Sequence, residues 1–196
     1  MNSYICADME TKQGFIVDPG GPSRAADDYI QNKGYSIEYI ILTHGHGDHI
    51  CGVPYYKQKF NAKLVGHKAD DYLFSDEREN LSKEFTGSPI TFACDLYVAD
   101  GDIVKVGGID VKVLHTPGHT PGGISLLIDD FLFSGDTLFA QSIGRTDFKG
   151  GSFADLKRSI QKKLYALPDD TQVLPGHMGP TTIGFEKANN FFVKAE

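Results

Sequence analysis

The 196-residue sequence has no tryptophan, only three cysteines, and no apolar run that approaches the roughly 18 residues of a membrane span. The cysteines are odd in number and lack CxxC spacing, which argues against a disulfide framework and against a cysteine-based zinc site. Basic residues are also scarce, because 19 Lys and Arg stand against 26 Asp and Glu, giving a net charge of −7. Such a chain has no overall positive field to attract DNA or RNA, so we expect no nucleic-acid partner.

The opening segment MNSYICADME has neither the basic region nor the apolar stretch of a secretory signal. We therefore predict a cytoplasmic protein with no membrane partner, and leave its oligomeric state open. Hydrophobic residues make up 40% of the chain and charged residues 23%, which is typical of a folded globular protein. Because no repeat, linker or charge block divides the sequence, residues 1–196 are predicted to form one domain.

The distribution of β-branched and turn residues predicts two packed sheets with helices on the outside. The first half alternates between the two kinds of element: strands at 3–7 and 14–17, a helix capped by Ser23, a buried strand at 37–43, a helix at 50–60, and a strand at 63–65. A short helix after His67 and a polar loop at 75–88 follow. The second half is predicted to contain strands at 96–98, 103–106, 109–114, 124–128 and 131–133, a helix at 153–165, a strand at 172–174 and a last helix from 183.

The segment THGHGDH follows the predicted buried strand and contains four potential metal ligands, His44, His46, Asp48 and His49. A single histidine is more often a hydrogen-bonded core or surface residue than a ligand, but that interpretation would have to hold for all four positions at once. His44 and His46 point the same way in an extended segment, while Asp48 and His49 follow in the turn and can face a second point. The spacing therefore indicates two adjacent centres, because zinc and similar divalent ions take imidazole and carboxylate ligands.

Three further candidate ligands lie in glycine-flanked turns later in the chain: His119 in HTPGHTPGG, Asp136 in FSGDTLF and His177 in LPGHMGPTT. Each turn follows a predicted strand, which is where open sheets place their sites. Glycine allows the tight backbone path that aims such side chains at one centre, and the chain is rich in it, with 22 glycines. The predicted ligand set therefore contains five histidines and two aspartates.

The combination of HxHxDH with TPGHTPG, GDTLF and PGH resembles the metallo-β-lactamase superfamily, and within it the small glyoxalase II-like (hydroxyacylglutathione hydrolase-like) branch. The resemblance extends from the DPGG turn at Asp18 to the segment PGHMGPTTIGFEK. It implies a four-layer αββα sandwich of two mixed β-sheets flanked by helices, with the metal site along one edge. It also implies two divalent ions, one held by His44, His46 and His119, the other by Asp48, His49 and His177, with Asp136 bridging both.

The same resemblance implies a metal-dependent hydrolase of the glyoxalase II type, in which a metal-bridging hydroxide attacks a thioester such as S-lactoylglutathione. Bound divalent ions lower the pKa of water, so that hydroxide exists at neutral pH. A thiolate leaves without a general acid because its conjugate acid has a pKa of about 8.5, whereas an amide nitrogen would need a proton. We expect zinc, with iron or manganese as alternatives because the same ligands accept all three. The acyl group and the thiol carrier of this small-molecule substrate stay open.

Three departures from the hydrolase pattern define the alternatives. Relatives of this type have a strand before the segment matching Asn2–Tyr4, so either the start is truncated or an edge strand is missing. The larger glyoxalase II enzymes carry a C-terminal helical domain that binds glutathione, for which the segment after His177 is too short. The segment IGRTDF at 143–148 also resembles persulfide dioxygenases, which use a single iron. The alternative function is therefore the oxidation of a thiol persulfide by one iron at the positions of His44, His46, His119 and Asp136.

Two further functional classes stay open on the same residues. A regulatory or binding module could keep the metal site without turnover, although a filled ligand set argues against this class. A phosphodiesterase that acts on RNA shares the superfamily motif, but the acidic charge balance places it last.

Arg145 is the candidate substrate-binding residue, because a guanidinium can hold a substrate carboxylate with two hydrogen bonds. The alternative is that Arg145 pairs with Asp147 and shapes the loop. We expect His115 to support the site by hydrogen bonding rather than to bind metal. Cys51 is expected to be a small buried thiol rather than a redox group. One segment of the polar loop resembles a stretch of small family members and either approaches the substrate or caps its own loop, namely Asn80, Leu81 and Ser82.

Overall fold

Two β-sheets packed face to face form the centre of the computed structural model, which describes residues 1–195. The strands of the first sheet are β1 Tyr4–Ala7, β2 Gln13–Val17, β3 Ser36–Ile41, β4 Lys63–His67 and β5 Leu96–Val98. They lie side by side in sequence order, with β1 antiparallel to β2 and the other neighbours parallel. This first sheet is therefore mixed.

The second sheet is also mixed and contains six strands. In chain order they are β6 Ile103–Val106, β7 Ile109–His115, β8 Ile124–Ile128, β9 Phe131–Gly135, β12 Gln172–Pro175 and β13 Thr181–Thr182. The spatial order is β13-β12-β9-β8-β7-β6, and only the β12–β9 pair is parallel. A separate small hairpin consists of β10 Leu138–Phe139 and β11 Ser142–Ile143.

Short helices cover the outer faces of the sheets. They are α1 Arg24–Lys33, α2 Gly47–Ile50, α3 Val53–Phe60, α4 Asp71–Ser75, α5 Glu77–Asn80, α6 Ser82–Thr86, α7 Phe153–Ser159 and α8 Ile183–Asn189. A 3₁₀ turn at Lys68–Asp70 precedes α4, and a π-helical turn at Ile160–Leu164 continues α7. Helix α1 begins and ends as its sequence predicts, because Ser23 Oγ accepts from the Ala26 N–H and Gly34 adopts a left-handed φ of 67°. Within residues 1–195, no helix is long and apolar enough to cross a membrane.

Three clusters of buried apolar side chains correspond to the three interfaces between layers. The central cluster joins the facing sides of the two sheets, and the other two lie between each sheet and its helices. Strand β3 contributes Ile41 to the central cluster and Ile40 to an outer one, so it is buried on both faces. Burial on both faces explains its nearly continuous apolar sequence. The predicted four-layer αββα sandwich is confirmed.

Some stretches differ from the sequence prediction. Residues 75–88, predicted as a polar loop, contain α5 and α6, because the buried Asn80 donates to the carbonyls of Leu73 and Ile90 and accepts from the Ser82 N–H. The predicted helix at 50–60 is interrupted at Gly52, where a Cβ would lie 2.7 Å from the Pro19 carbonyl oxygen. Both differences arise from contacts with other segments, which local propensity does not show. The two-residue strands β10, β11 and β13 are too short for an alternating pattern.

We predict that the native protein reacts slowly with a thiol reagent such as DTNB at pH 8. All three cysteines are free, and burial raises the pKa of Cys6 and Cys94 to about 12 and that of Cys51 to about 11. Because the thiolate is the reactive form, all three should stay protonated until the protein unfolds. Unfolding in guanidinium should then release three reactive thiols. Rapid reaction of one thiol in the native protein, lost in Cys51→Ala, would instead support a redox role for Cys51.

Candidate metal centre

The seven predicted ligands lie together at one edge of the sandwich, each in a segment that follows a strand. The loop after β3 and the short helix α2 supply four of them, and the segments after β7, β9 and β12 supply one each. Carboxyl ends of strands that meet at one edge bring such loops into contact. The ligands fall into two groups joined by one carboxylate.

The first ligand group consists of His44, His46 and His119, whose candidate ligand atoms all lie within 4.8 Å of one another. His46 Nδ1 is 2.9 Å from His119 Nε2, and all three side chains are buried. The ring of His119 is oriented by a hydrogen bond, in which its Nδ1–H donates to the Arg145 carbonyl oxygen at 2.7 Å. This hydrogen bond leaves Nε2 directed at the other two imidazoles.

The second ligand group consists of Asp48, His49 and His177. Asp48 Oδ2 lies 3.0 Å from His177 Nε2 and 3.7 Å from His49 Nε2, and the two imidazole nitrogens are 3.4 Å apart. His49 is fully buried, whereas 37% of the His177 side chain is exposed. The second group is therefore the more open to solvent of the two.

Asp136 lies between the two groups. Its Oδ2 is 3.6 Å from His119 Nε2 and 3.6 Å from His177 Nε2, and its Oδ1 is 3.4 Å from His49 Nε2. One carboxylate thus faces one imidazole of the first group and two of the second. This is the placement that a ligand bridging two ions requires.

Two buried atoms of this cluster, His44 Nε2 and Asp136 Oδ1, have no hydrogen-bond partner among residues 1–195. An unpaired buried polar atom costs roughly 1–3 kcal/mol, so native structures rarely keep one without a reason. A cation among these atoms would provide the missing partner for both. Imidazole and carboxylate donors suit zinc, iron and manganese, so the residues present fit two divalent ions.

The electrostatics of the cluster distinguish the two groups. Burial, followed by the neighbouring His49, holds the pKa of His44 well below its usual range, and burial together with His119 lowers the pKa of His46 to about 3. Burial also acts to lower the pKa of His49, but the carboxylates of Asp136 and Asp18 outweigh it and raise that pKa to about 10. His44 and His46 are therefore neutral at pH 7, whereas His49 carries a proton that a metal ion must displace.

Asp18 supports the second group through a hydrogen bond with His49, a role that its position in the DPGG turn does not reveal in the sequence. Its Oδ2 accepts from His49 Nδ1–H at 2.9 Å and from the Thr43 hydroxyl at 2.5 Å, and its Oδ1 accepts from the Thr43 N–H at 2.7 Å. Asp18, His44 and His49 are also close enough to form a third group of potential ligands. Because protein donors already occupy the Asp18 oxygens, we interpret Asp18 as the residue that orients His49.

Two glycines allow the backbone to approach the ligands closely. A Cβ at Gly144 would lie 1.8 Å from the Asp136 carbonyl oxygen, and a Cβ at Gly176 would lie 2.4 Å from Asp136 Oδ1 and 2.7 Å from His49 Cε1. No side chain fits at either position without displacing a ligand. Part of the glycine excess therefore serves the site directly.

A pocket of ≈ 180 Å³ opens beside the cluster. The ring of Phe148 forms one side of it, 5.0 Å from the ring of His46. Leu81, in a left-handed conformation with φ 61°, and the exposed Phe85 also line it. Asn80 lines the pocket as well, but its amide is bonded within its own loop. The pocket thus combines an apolar wall with the ligand groups.

Arg145, the predicted substrate contact, also lines this pocket and is paired with Asp147 by two hydrogen bonds of 2.7 and 2.6 Å. Its guanidinium lies over the Phe148 ring, 4.1 Å from the ring centroid. His115 stands apart from both ligand groups: its Nε2–H donates to the Pro121 carbonyl oxygen at 2.9 Å, and its ring stacks on His67 with 4.1 Å between centroids.

Comparison with known proteins identifies the family to which this chain is similar. The family model of the metallo-beta-lactamase superfamily matches residues 2–177. Hydroxyacylglutathione hydrolase GloC from Haemophilus influenzae is 35% identical over 191 residues, which cover 95% of this chain and 90% of GloC. The family match spans all seven predicted ligand positions, and the match to GloC covers nearly the whole chain.

Two solved structures are similar in both sequence and fold. The B3 metallo-beta-lactamase BLEG-1 superposes with a TM-score of 0.90 at 37% identity, covering 98% of this chain and 93% of BLEG-1. TTHA1623, solved in a di-iron-bound form, superposes with a TM-score of 0.84 at 30% identity, covering 98% of this chain and 94% of TTHA1623. The similarity therefore extends over more than nine-tenths of each of the three chains.

Zinc binding to the metal-free protein at pH 7 is predicted to release at least one proton, because the His49 pKa of about 10 keeps this imidazole protonated until a metal displaces the proton. Calorimetric titration in buffers of different ionisation enthalpy measures the number released. His46→Ala removes an imidazole that is already neutral, so this control should keep the release. Binding heats that are equal in all buffers would contradict the assignment of the proton to His49.

Proposed function

Because the chain belongs to the metallo-β-lactamase superfamily, we propose that it is a metal-dependent hydrolase whose two ligand groups hold two divalent ions and whose substrate is an acyl-thiol. The observation that carries this proposal is the position of Asp136 between the groups, with a buried oxygen that lacks a hydrogen-bond partner among the described residues. The similarity to GloC, whose name is hydroxyacylglutathione hydrolase, supports thioesters as the substrate class.

Two divalent ions bound at this site would lower the pKa of water and polarise a carbonyl group. Other residues of the chain orient the ligand side chains: Asp18 orients His49, and the Arg145 carbonyl orients His119. Among the described residues that line the pocket, none is serine, cysteine or lysine. No side chain of these types is therefore placed to act as the nucleophile, which favours attack by water.

The charge state of the pocket favours a leaving group that needs no proton. Burial acts to raise the pKa of Asp48, but the hydrogen bond from His177 and the charge of His49 outweigh it and hold that pKa at about 2. The pKa of Asp136 is lowered as well, because its neighbouring histidines outweigh burial. Neither carboxylate is protonated at neutral pH, so neither can serve as a general acid. A thiolate can leave unprotonated, whereas an amide nitrogen cannot.

The pocket walls suggest how the substrate binds. Phe148, Leu81 and Phe85 offer apolar contact beside the ligand groups. We propose that Arg145 contacts a carboxylate of the substrate. Because Arg145 is paired with Asp147, the substrate carboxylate must compete with Asp147 for the guanidinium. Arg145 also stacks on Phe148, so the same residue connects the polar and apolar parts of the wall.

Persulfide oxidation is the second candidate, and one observation favours it. The segment at 143–148, which resembles persulfide dioxygenases, supplies Arg145 and Phe148 to the pocket wall. In this alternative a single iron is held at the first ligand group with Asp136. Oxygen uptake with glutathione persulfide as substrate distinguishes it from hydrolysis.

The direct test of the first candidate is release of free thiol from S-lactoylglutathione by the zinc- or iron-loaded protein. We expect release that a chelator abolishes, with a kcat/KM of about 10⁴ M⁻¹s⁻¹ or more. Trace thiol release from the metal-loaded protein, together with rapid oxygen uptake on the persulfide by the iron-loaded protein, would replace hydrolysis by the second candidate.

Asp136→Ala is predicted to lower bound metal and turnover together, because this carboxylate faces both ligand groups. Metal analysis after dialysis and the thiol-release assay measure the two effects. Asp147→Asn, a carboxylate change at the pocket rim outside both groups, is the matched control and should keep two metals. Full metal content and full turnover in Asp136→Ala would overturn the bridging assignment.

Two variants of the ion pair should change KM in opposite directions for a glutathione thioester. Arg145→Ala removes the proposed carboxylate contact and should raise KM, whereas Asp147→Asn frees the guanidinium and should lower it. A thioester of cysteamine, which has no carboxylate on the thiol, serves as the control substrate and should show neither effect. If both variants raise KM equally for both substrates, the pair only shapes the loop.

A further inference from the structure

Asp70 is a fully buried carboxylate outside both ligand groups, and nothing in the proposed hydrolysis uses it. It lies in the 3₁₀ turn between β4 and α4. Burial raises its pKa to about 6 in spite of three hydrogen bonds that act to lower it. A carboxylate kept in such a place at a cost in desolvation calls for an explanation.

The three donors to Asp70 all belong to loops that carry the first ligand group. Asp70 Oδ2 accepts from the Gly45 N–H at 3.1 Å and from the Thr120 hydroxyl at 2.8 Å. Asp70 Oδ1 accepts from the Gly122 N–H at 2.6 Å. Gly45 separates His44 from His46 in the sequence, and Thr120 directly follows His119.

Close packing leaves little room for these loops to adjust. A Cβ at Gly122 would lie 2.6 Å from Asp70 Oδ1, and a Cβ at Gly45 would lie 2.5 Å from Leu73 Cβ. The loop that carries His44 and His46 and the loop that carries His119 therefore meet at a single side chain from a third segment.

We propose that Asp70 is the positioning residue of the first ligand group, setting the distance between the loop of His44 and His46 and the loop of His119. This inference rests on the two-metal centre proposed above. Asp18 acts on the other half, because it binds His49 directly. Each ligand group thus has its own buried carboxylate, so the two ion affinities should be separable by mutation.

A carboxylate suits this position better than any neutral side chain. Three donors converge on its two oxygens, and ionised oxygens make the stronger hydrogen bonds. Asp70→Asn keeps the shape of the side chain but directs an amide N–H₂ group at one of these donors. The variant therefore loses the hydrogen bond from that donor and places two hydrogen-bond donors, the amide and the original N–H or O–H group, against each other. The core around the side chain stays filled.

The test is a zinc titration of the metal-free protein with a competing chromophoric chelator, which yields one dissociation constant for each ion. Asp70→Asn should weaken one ion by roughly 10- to 100-fold and leave the other unchanged, as mutation of residues that hold ligands typically does. Asp18→Asn should weaken the other ion by a similar factor. Equal weakening of both ions by Asp70→Asn would overturn the proposal.

Ligand-deleted backgrounds identify which ion each variant affects. In His177→Ala, which retains the first ligand group, Asp70→Asn should weaken the remaining ion. In His119→Ala, which retains the second group, Asp70→Asn should have no effect on the remaining ion. The reverse pattern would contradict the proposal, whereas a wild-type protein that binds no ion would contradict the proposed function instead.

Two further variants separate positioning from general stability. Thr120→Val removes one donor to Asp70 with little change in volume, and should weaken the same ion by a smaller factor. This variant provides the test if Asp70→Asn does not fold. Glu186→Gln alters another fully buried carboxylate, which accepts from the Gln141 N–H, the Thr181 hydroxyl and the Asn190 amide. It should lower the thermal stability of the metal-free protein while the affinity of the first group is kept. Loss of stability without any change in metal affinity in Thr120→Val would show that Asp70 only stabilises the fold.

Discussion

The gathering of five imidazoles, four of them buried, and two carboxylates at one edge of the sandwich is the constraint on which the rest of this structure depends. Such a cluster is costly in the absence of a cation, since it leaves His44 Nε2 and Asp136 Oδ1 without hydrogen-bond partners among the described residues. The loops around it are glycine-rich because the backbone must pass within van der Waals distance of Asp136. The sheets contribute the rigid edge, and the loops contribute the ligands. A fold organised in this way would hold the proposed ions in place before any substrate arrives.

The support of the cluster is divided in the same way as the cluster itself. Asp18, at the end of the second strand, binds His49 and the backbone of Thr43. Asp70, after the fourth strand, binds both loops that carry the first ligand group. Among the described residues, the side-chain partners of these two carboxylates are the ligand His49, three sites directly beside ligands in the sequence, and the N–H of Gly122 in the loop that carries His119. The two ligand groups also differ in electrostatics when no metal is bound, because burial keeps His44 and His46 neutral while the carboxylates of Asp136 and Asp18 raise the pKa of His49.

Much of this arrangement is predictable from the sequence, and the reasons are particular. Strand β3 is recognisable because burial on both faces requires an apolar run, and the ligands are recognisable because a dense set of glycine-flanked histidines has no structural explanation. Asp70 is not recognisable, because its donors lie 25, 50 and 52 residues away in the chain. The helices α5 and α6 are missed for the same reason, since Asn80 holds them through contacts with neighbouring segments. Local pattern thus identifies ligands, while their supports depend on the folded chain.

We propose that two ions act together on a thioester in this pocket. The most direct measurement is thiol release from S-lactoylglutathione as metal-free protein receives zinc in steps from zero to three equivalents. Under this proposal, turnover should stay low after the first equivalent and reach its plateau at the second, because Asp136 faces both ligand groups. Full turnover at one equivalent, or no thiol release when two equivalents are bound, would contradict it.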